Sequence, residues 1–520
     1  MANADGAGQR QPQKISGRGA FRGAVVTSAW TLLSRILGFA RDAAMLAVFG
    51  ASVATGNFVI AWMIPNLFRR LFGEGAVSAA IQPALARAQE EEGHEAAVRL
   101  FASFMGFFAL CLTGLVVVGE IVIVLMLRSS EPGSADEQAL ILSAYLLPYL
   151  VPICLTALAG APQQLSGRFS LPALAPAALN VVWITWLVIL GEGADIMLLP
   201  AGVLFGGLVQ WAMQFPGLRA DGWPLLPRFD FKNPRLKQAL SAFAPAVLGL
   251  AAVQLNLLVD QILVRELVSE EANSFTYAAN RLIQLPGALV GVAAATGAMP
   301  LFARLAAEKR KAELTQTLQR SSEMTLMLMM AAGCGMGWLA EPIIRVLFEH
   351  GRFTANDTEA LAPVLRAYLW SLPAGALLGL TARVRQANGD LRGPARIAIG
   401  MVPLNLGLDI LLLPKFGVAG AGYATSIAIT VQFLRLAQGL PKVQVGPPVR
   451  IKRLLPLLAP GTASTAAAAL IYPYTAAVLP EWVALMLSIM AGVAAAAVVA
   501  WKFLPEEAEQ LMARLNRKRS

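Results

Sequence analysis

The sequence predicts an all-α polytopic membrane protein with about fourteen transmembrane helices. Three observations carry this reading. Apolar residues make up 57% of the 520-residue chain, charged residues only 14% against a usual ~25%, and mean hydropathy is +0.60. At ~20 residues per crossing, the apolar content supplies at most about fourteen spans and leaves little for a water-facing domain. A net charge of +10 raises the question of nucleic acid in a soluble chain. Here the charges lie between apolar runs, so topology explains them and no nucleic-acid partner is expected.

The chain opens on a basic tail, residues 1–22, carrying Arg10, Lys14, Arg18 and Arg22. The apolar run that follows is interrupted by arginines and shows no small-residue cleavage site, so it reads as a retained cytoplasmic tail. Spans are then expected at 24–49, 53–72, 97–127, 137–161, 169–190 and 196–218, forming a first lobe over 23–218. A linker at 219–237, marked by Pro216, Pro224, Pro227 and Pro234, joins it to a second lobe over 238–440. That lobe holds spans at 238–268, 276–303, 318–348, 358–382, 393–413 and 417–438. Two further spans, 454–475 and 481–503, fill 441–503 ahead of a basic cytoplasmic tail at 504–520.

Loop charges alternate with this count. Odd-numbered turns are nearly free of Lys and Arg, with Arg128, Arg352 and Lys415 the exceptions, whereas even-numbered turns are basic. Examples are Arg219, Arg228, Lys232, Arg235 and Lys237, then Arg304, Lys309, Arg310 and Lys311, then Arg435, Lys442, Arg450, Lys452 and Arg453. By the positive-inside rule both termini are cytoplasmic.

Familiar soluble-type enzyme sites are missing. Cys111, Cys154 and Cys334 each sit inside an apolar run, which gives neither a disulfide framework nor a metal site. Two histidines, His94 and His350, leave little for zinc or His-based catalysis. No Gly-Lys dipeptide is present for a P-loop, and GxGxxG, GxSxG and HExxH are absent. The expectation is a transporter rather than an enzyme.

An internal repeat points the same way. Ile81-Gln82-Pro83-Ala84-Leu85-Ala86-Arg87 resembles Ala298-Met299-Pro300-Leu301-Phe302-Ala303-Arg304, and Arg168 to Asn180 resembles Arg392 to Asn405. Tyr145 and Tyr368 are similarly placed. Two parallel halves of about six spans, with two extra spans, is the simplest account; chance likeness among Ala- and Pro-rich helices is the competing one.

Charges inside spans are costly and usually face water or a partner. Span 1 aligns Thr27, Ser28, Thr31, Ser34, Arg35, Gly38, Arg41 and Asp42 on one helical stripe. An Arg35–Asp42 staple would account for part of it and leave Arg41 without an evident partner. Span 2 ends in Arg69-Arg70 before Gly73-Glu74-Gly75, either a snorkelling helix end or part of a site. Arg281 lies at the matching place in span 8, five residues before Pro286. Guanidinium forks suit phosphate oxygens, so Arg35, Arg41, Arg69, Arg70 and Arg281 suit a pyrophosphate. Asp260, Asn405, Asp409 and Thr425 form a second, oxygen-rich set with hard ligands for sodium. Its alternatives are two proton-carrying aspartates, or aspartates bonded to neighbouring hydroxyls.

Several of these segments together resemble the MurJ (MviN) family of bacterial lipid II flippases. They are Ser34-Arg35-Ile36-Leu37-Gly38-Phe39-Ala40-Arg41-Asp42, Pro65-Asn66-Leu67-Phe68-Arg69-Arg70-Leu71-Phe72 with Glu74-Gly75-Ala76, and Arg168-Phe169-Ser170 with Ala175-Pro176 and Asn180. Leu347-Phe348-Glu349-His350-Gly351-Arg352-Phe353-Thr354 and Phe416-Gly417-Val418-Ala419-Gly420-Ala421-Gly422 complete the match. The resemblance implies the multidrug/oligosaccharidyl-lipid/polysaccharide exporter fold: two six-helix lobes around a central cavity, plus two C-terminal helices forming a lipid-tail groove. It implies substrate roles for Arg35, Arg41, Arg69, Arg70, Glu74 and Arg281, and a sodium site at Asp260, Asn405, Asp409 and Thr425. The chain departs from the pattern at Thr55-Gly56-Asn57-Phe58, where Thr-Asp-Ala-Phe is common, and at Asn280-Arg281, where Asp-Arg is usual. Each change deletes a carboxylate from the expected cavity.

The function expected is therefore export of the undecaprenyl-pyrophosphate-linked peptidoglycan precursor, lipid II, from the inner to the outer leaflet of the bacterial cytoplasmic membrane by alternating access. Its expected partners are lipid II, membrane lipids and cell-wall synthesis proteins, with the protein itself a monomer. No cofactor is expected beyond the sodium ion. Export of another lipid-linked glycan or an amphipathic drug, and a non-transporting cell-wall scaffold, are the alternatives.

Overall fold

A computed structural model describes residues 17–71, 77–231, 233–450 and 453–503. Most of the 1–22 tail, the 504–520 tail and Glu74 lie outside the described residues. The described residues form twenty α-helices and no strand. In chain order, α1 is Gly17–Phe49, α2 Val53–Leu71, α3 Val77–Glu92, α4 His94–Leu127, α5 Ala135–Leu146, α6 Leu150–Leu165 and α7 Ser170–Leu190. Next come α8 Leu199–Ala212, α9 Phe215–Ala220, α10 Pro234–Leu267, α11 Ala272–Pro286, α12 Ala293–Ala307, α13 Lys311–Trp338 and α14 Ala340–Phe348. The last six are α15 Ala355–Leu369, α16 Ser371–Ala387, α17 Arg392–Phe416, α18 Ala419–Ala437, α19 Leu454–Ala476 and α20 Glu481–Phe503.

Helices dominate because a chain this apolar must satisfy its backbone internally when it sits in lipid. Nine helices or continuous helix pairs among the described residues are long and apolar enough to cross a membrane, ten when the bent pair α13–α14 counts as one. All fourteen expected runs fall on helices. Four of them, α1, α2, α10 and α18, lie outside those ten. Run 318–348 proves to be two helices, bent by 74° at Leu339. The short α14 buries Ala340, Ile343, Ile344 and Phe348 on one side and carries Glu341 and Arg345, each about half exposed, on the other. An amphipathic stripe of this kind suits the lie of an interfacial helix. Helix α3 falls between two expected spans, because its Ala- and Glu-rich sequence forms helix readily but is too polar to cross a membrane.

Contacts divide the chain into two compact units. Unit 1 comprises Met1–Met45 and Ala61–Ala251, and unit 2 comprises Leu46–Ile60 and Ala252–Ser520. In unit 1 the core centres on Tyr149, Trp183, Phe101 and Phe104, all fully buried. Arg235 at the start of α10 pairs with Glu91 and Glu92 at the end of α3 at 2.7 and 2.5 Å. Helix α4 turns Val117, Val118, Ile121 and Leu125 outward, as a face against hydrocarbon requires.

In unit 2 a core of Phe302, Leu305, Leu314, Leu318, Leu380 and Val384 holds α12, α13 and α16 together. The glycine-rich start of α18 has a packing reason. A Cβ on Gly420 would stand 2.6 Å from the Leu412 carbonyl oxygen, and one on Gly422 would stand 2.9 Å from the Tyr368 backbone nitrogen. Only glycine lets α18 lie this close to α17 and α15. The repeated segments also land on like elements. Pro83 and Pro300 lie inside α3 and α12, while Asn180 and Asn405 lie on α7 and α17.

Candidate functional site

Unit 1 holds the arginine-bearing stripe of α1, and the structure sorts its members. Arg35 is exposed, whereas Arg41 and Asp42 are buried. Arg41 donates from Nε and Nη2 to Asp42 Oδ1 at 2.9 and 2.5 Å, and from Nη1 to Asn180 Oδ1 on α7 at 3.1 Å. Asn180 in turn donates to the Ser34 carbonyl at 2.9 Å. The guanidinium carbon lies 4.5 Å from the ring centre of Trp183, one helical turn beyond Asn180. Arg41 therefore has partners on its own helix and on α7, contrary to the expectation that it lacks them, and it is Arg41, not Arg35, that pairs with Asp42. A guanidinium held at this many points is preorganised, because its geometry is fixed before any anion arrives.

The rings around Trp183 extend this node. Trp62 on α2 packs edge-on against Trp183 at 5.2 Å and against Tyr149 at 5.3 Å. Tyr149 donates to Gln210 Oε1 at 3.1 Å, and Gln210 donates to the Ala175 carbonyl at 2.8 Å. Arg69, two turns along α2 from Trp62, donates through Nε and Nη2 to Asn66 Oδ1, both at 3.0 Å. Arg70 is half-buried beside Arg69. Sequence reasoning found the arginines and missed Asn180, Trp183 and Tyr149, which hold them. The repeat was the available signal, since Asn180 and Asn405 are the same position in the two halves.

In unit 2 the corresponding position carries acid. Asn405 Nδ2 donates to Asp260 Oδ1 at 2.8 Å and to Asp409 Oδ2 at 3.1 Å. Asp409 is buried, and its Oδ1 has no hydrogen-bond partner among the described residues. Asp260, Asn405 and Asp409 are thus gathered by α10 and α17, while no hydrogen bond joins Thr425 on α18 to them among the described residues. Asn280 on α11 donates to the Thr276 carbonyl at 2.9 Å. Arg281 packs its guanidinium over Tyr277, 4.8 Å from the ring centre, and donates to the Tyr277 hydroxyl at 3.0 Å.

The two units are thus variations on one plan: a helix-borne asparagine holds an arginine in the first and two aspartates in the second. Comparison with known proteins identifies the plan. A sequence model of the lipid II flippase MurJ family matches residues 45–492. The chain belongs to that family. The lipid II flippase MurJ of Burkholderia cenocepacia is 31% identical over 433 residues, covering 81% of this chain and 84% of its own. The probable lipid II flippase MurJ of Rhizobium tropici is 33% identical over 409 residues, 76% of each chain. A solved lipid II flippase MurJ in an inward closed conformation has the same fold, with a TM-score of 0.78 at 24% identity over 93% of this chain and 99% of that one. An inward-facing multidrug resistance MATE family transporter of the MOP superfamily follows at 0.66 and 15% identity, over 81% of this chain and 98% of that one. The fold class and the transporter reading are borne out.

Within the MurJ family, this chain's two lost carboxylates acquire a physical setting. A Cβ on Gly56 would stand 2.6 Å from the Glu270 carbonyl oxygen, so an aspartate there does not fit the seat that α2 occupies. Asn280 donates its amide to the Thr276 carbonyl, a bond that an ionised aspartate, an acceptor only, does not make.

Proposed function

We propose that this protein is a lipid II flippase, carrying the undecaprenyl-pyrophosphate-linked headgroup across the bacterial inner membrane. The observation that supports it most is the buried Arg41, locked by Asp42, Asn180 and Trp183 inside an apolar helical unit of a MurJ-family chain. A membrane protein bears the cost of a buried guanidinium where its charge is used.

Arg41 fixes the positive field, while the more accessible Arg35, Arg69 and Arg70 are the donors for phosphate oxygens in unit 1. In unit 2 Arg281, steadied on Tyr277, is a further guanidinium for the same chemistry. Pyrophosphate accepts several such forks at once. Loop charges put both termini in the cytoplasm, so export moves negative charge out of a negative-inside cell. That direction is favourable by ~2.3 kcal/mol per charge per 100 mV, and no nucleotide hydrolysis is needed.

A sodium ion fits Asp260, Asn405, Asp409 and Thr425. The donors are hard oxygens, and Asp409 Oδ1 is buried without a hydrogen-bond partner among the described residues. The ion would neutralise two carboxylates held close by a single amide. Export of a cationic drug is disfavoured by the arginines. Transfer of labelled lipid II between leaflets by the reconstituted protein tests the reading: a leaflet distribution identical to that of empty vesicles rejects it.

A further inference from the structure

The corner between α1 and α2, residues Leu46–Ile60, packs as part of unit 2 although the rest of both helices belongs to unit 1. Its first end is held by backbone. The Arg352 N–H donates to the Ala47 carbonyl at 2.8 Å. Gly50 turns there at φ +71°, where a Cβ would stand 2.9 Å from the Arg352 carbonyl oxygen. Thr55 Oγ1 closes the corner by donating to the Gly50 carbonyl at 2.7 Å.

The second end is held by side chains. Gly56 rests directly on the backbone at Glu270. One residue on, the fully buried Asn57 accepts a hydrogen bond at Oδ1 from Nη1 of Arg265, a residue only 8% exposed in the last turn of α10. This pair is not legible in the sequence, because the partners are far apart along the chain and Arg265 reads as an ordinary helix-end cation. The acid that the family pattern places at 56 has no room on this seat, and the neighbouring amide takes a hydrogen bond from a guanidinium instead.

We propose that Arg265 is a positioning residue for transport. Its bond to Asn57 clasps the α1–α2 corner to unit 2, and the clasp must open for α1 and α2 to shift during a flipping cycle. This rests on the flippase reading, but its test does not. A guanidinium bonded to an amide is held less tightly than one bonded to a carboxylate. The amide therefore makes a clasp that releases, and a carboxylate at 57 makes one that stays shut.

The test uses the full chain in lipid nanodiscs, with Cys111→Ser and Cys334→Ser to remove the accessible thiols and Ala54→Cys as reporter in the corner. The rate of labelling by a membrane-impermeant maleimide reads release of the corner. Arg265→Gln is expected to raise that rate at least threefold, and Asn57→Asp to lower it at least threefold and to slow lipid II flipping severalfold in vesicles. Arg265→Lys keeps the charge without the fork, so it is expected to fall between the parent and Arg265→Gln, and it serves if Arg265→Gln does not fold. A merely structural role moves labelling in the same direction for Arg265 and Asn57 variants. That result, or labelling unchanged in both at equal folded yield, overturns the proposal. If the parent flips no lipid II, the flippase reading fails while the labelling shifts still decide the clasp.

Discussion

Arg41 and Arg69 look alike in sequence, yet they differ in how the fold uses them. Arg41 is buried, with bonds to Asp42 and Asn180 and a ring face beneath it. Arg69 is half-buried and held by Asn66 within its own helix. Their substitutions should therefore separate. Asn180→Ala removes an acceptor from the buried guanidinium and a donor from the Ser34 carbonyl, costing about 1–3 kcal/mol, seen as a lower melting temperature in detergent. Arg69→Ala is expected to leave melting within about 0.5 kcal/mol of the parent and to lower lipid II flipping at least tenfold. In unit 2, Asp409→Asn removes one of two carboxylates sharing a single amide. Melting of the parent is expected to rise when sodium replaces choline in the buffer, and that rise should vanish in Asp409→Asn. An equal rise in both would remove sodium from this site. The arginines and aspartates were legible because charge in an apolar run stands out. Asn180 stood out only as part of a motif, without a role, and Trp183 not at all, because a neutral side chain on an apolar helix carries no sign that a guanidinium more than a hundred residues away will need it.

At the scale of helices, most of the fold was readable because every expected apolar run became a helix. The readings that failed have specific causes. The bend between α13 and α14 falls at Leu339, inside an unbroken apolar stretch, and Pro342 sits early enough in α14 to be accommodated there. Helix α3 is too polar to register as a span, yet it is tied to α10 by the Arg235 pairs. The segment from Phe416 to Gly422 was legible as a motif, but its reason was not. Close approach of α18 to the Leu412 carbonyl and to Tyr368 excludes any Cβ at 420 and 422. Gly420→Ala should therefore cost about 1–3 kcal/mol, read from thermal unfolding in detergent. Gly400→Ala, with open space around its Cβ position, should cost nothing on the same helix pair or stabilise it slightly. Equal effects at the two positions would refute the packing argument.

At the scale of the whole molecule, the two units differ in the charge that an asparagine holds. In unit 1 Asn180 holds a cation, and in unit 2 Asn405 holds two acids. Composition ruled out a soluble protein, and loop charges proposed an orientation. The proposed flippase function rests on the small set of charges that loop topology does not explain. Transfer of fluorescent lipid II from the inner to the outer leaflet of sealed vesicles carrying the purified protein tests this most directly. With an inside-negative potential, the parent is expected to move lipid II well above protein-free vesicles, and a protein lacking Arg69 and Arg281 to fall to their level. Equal transfer by the parent and by the arginine-depleted protein would contradict a pyrophosphate-binding role for these guanidiniums.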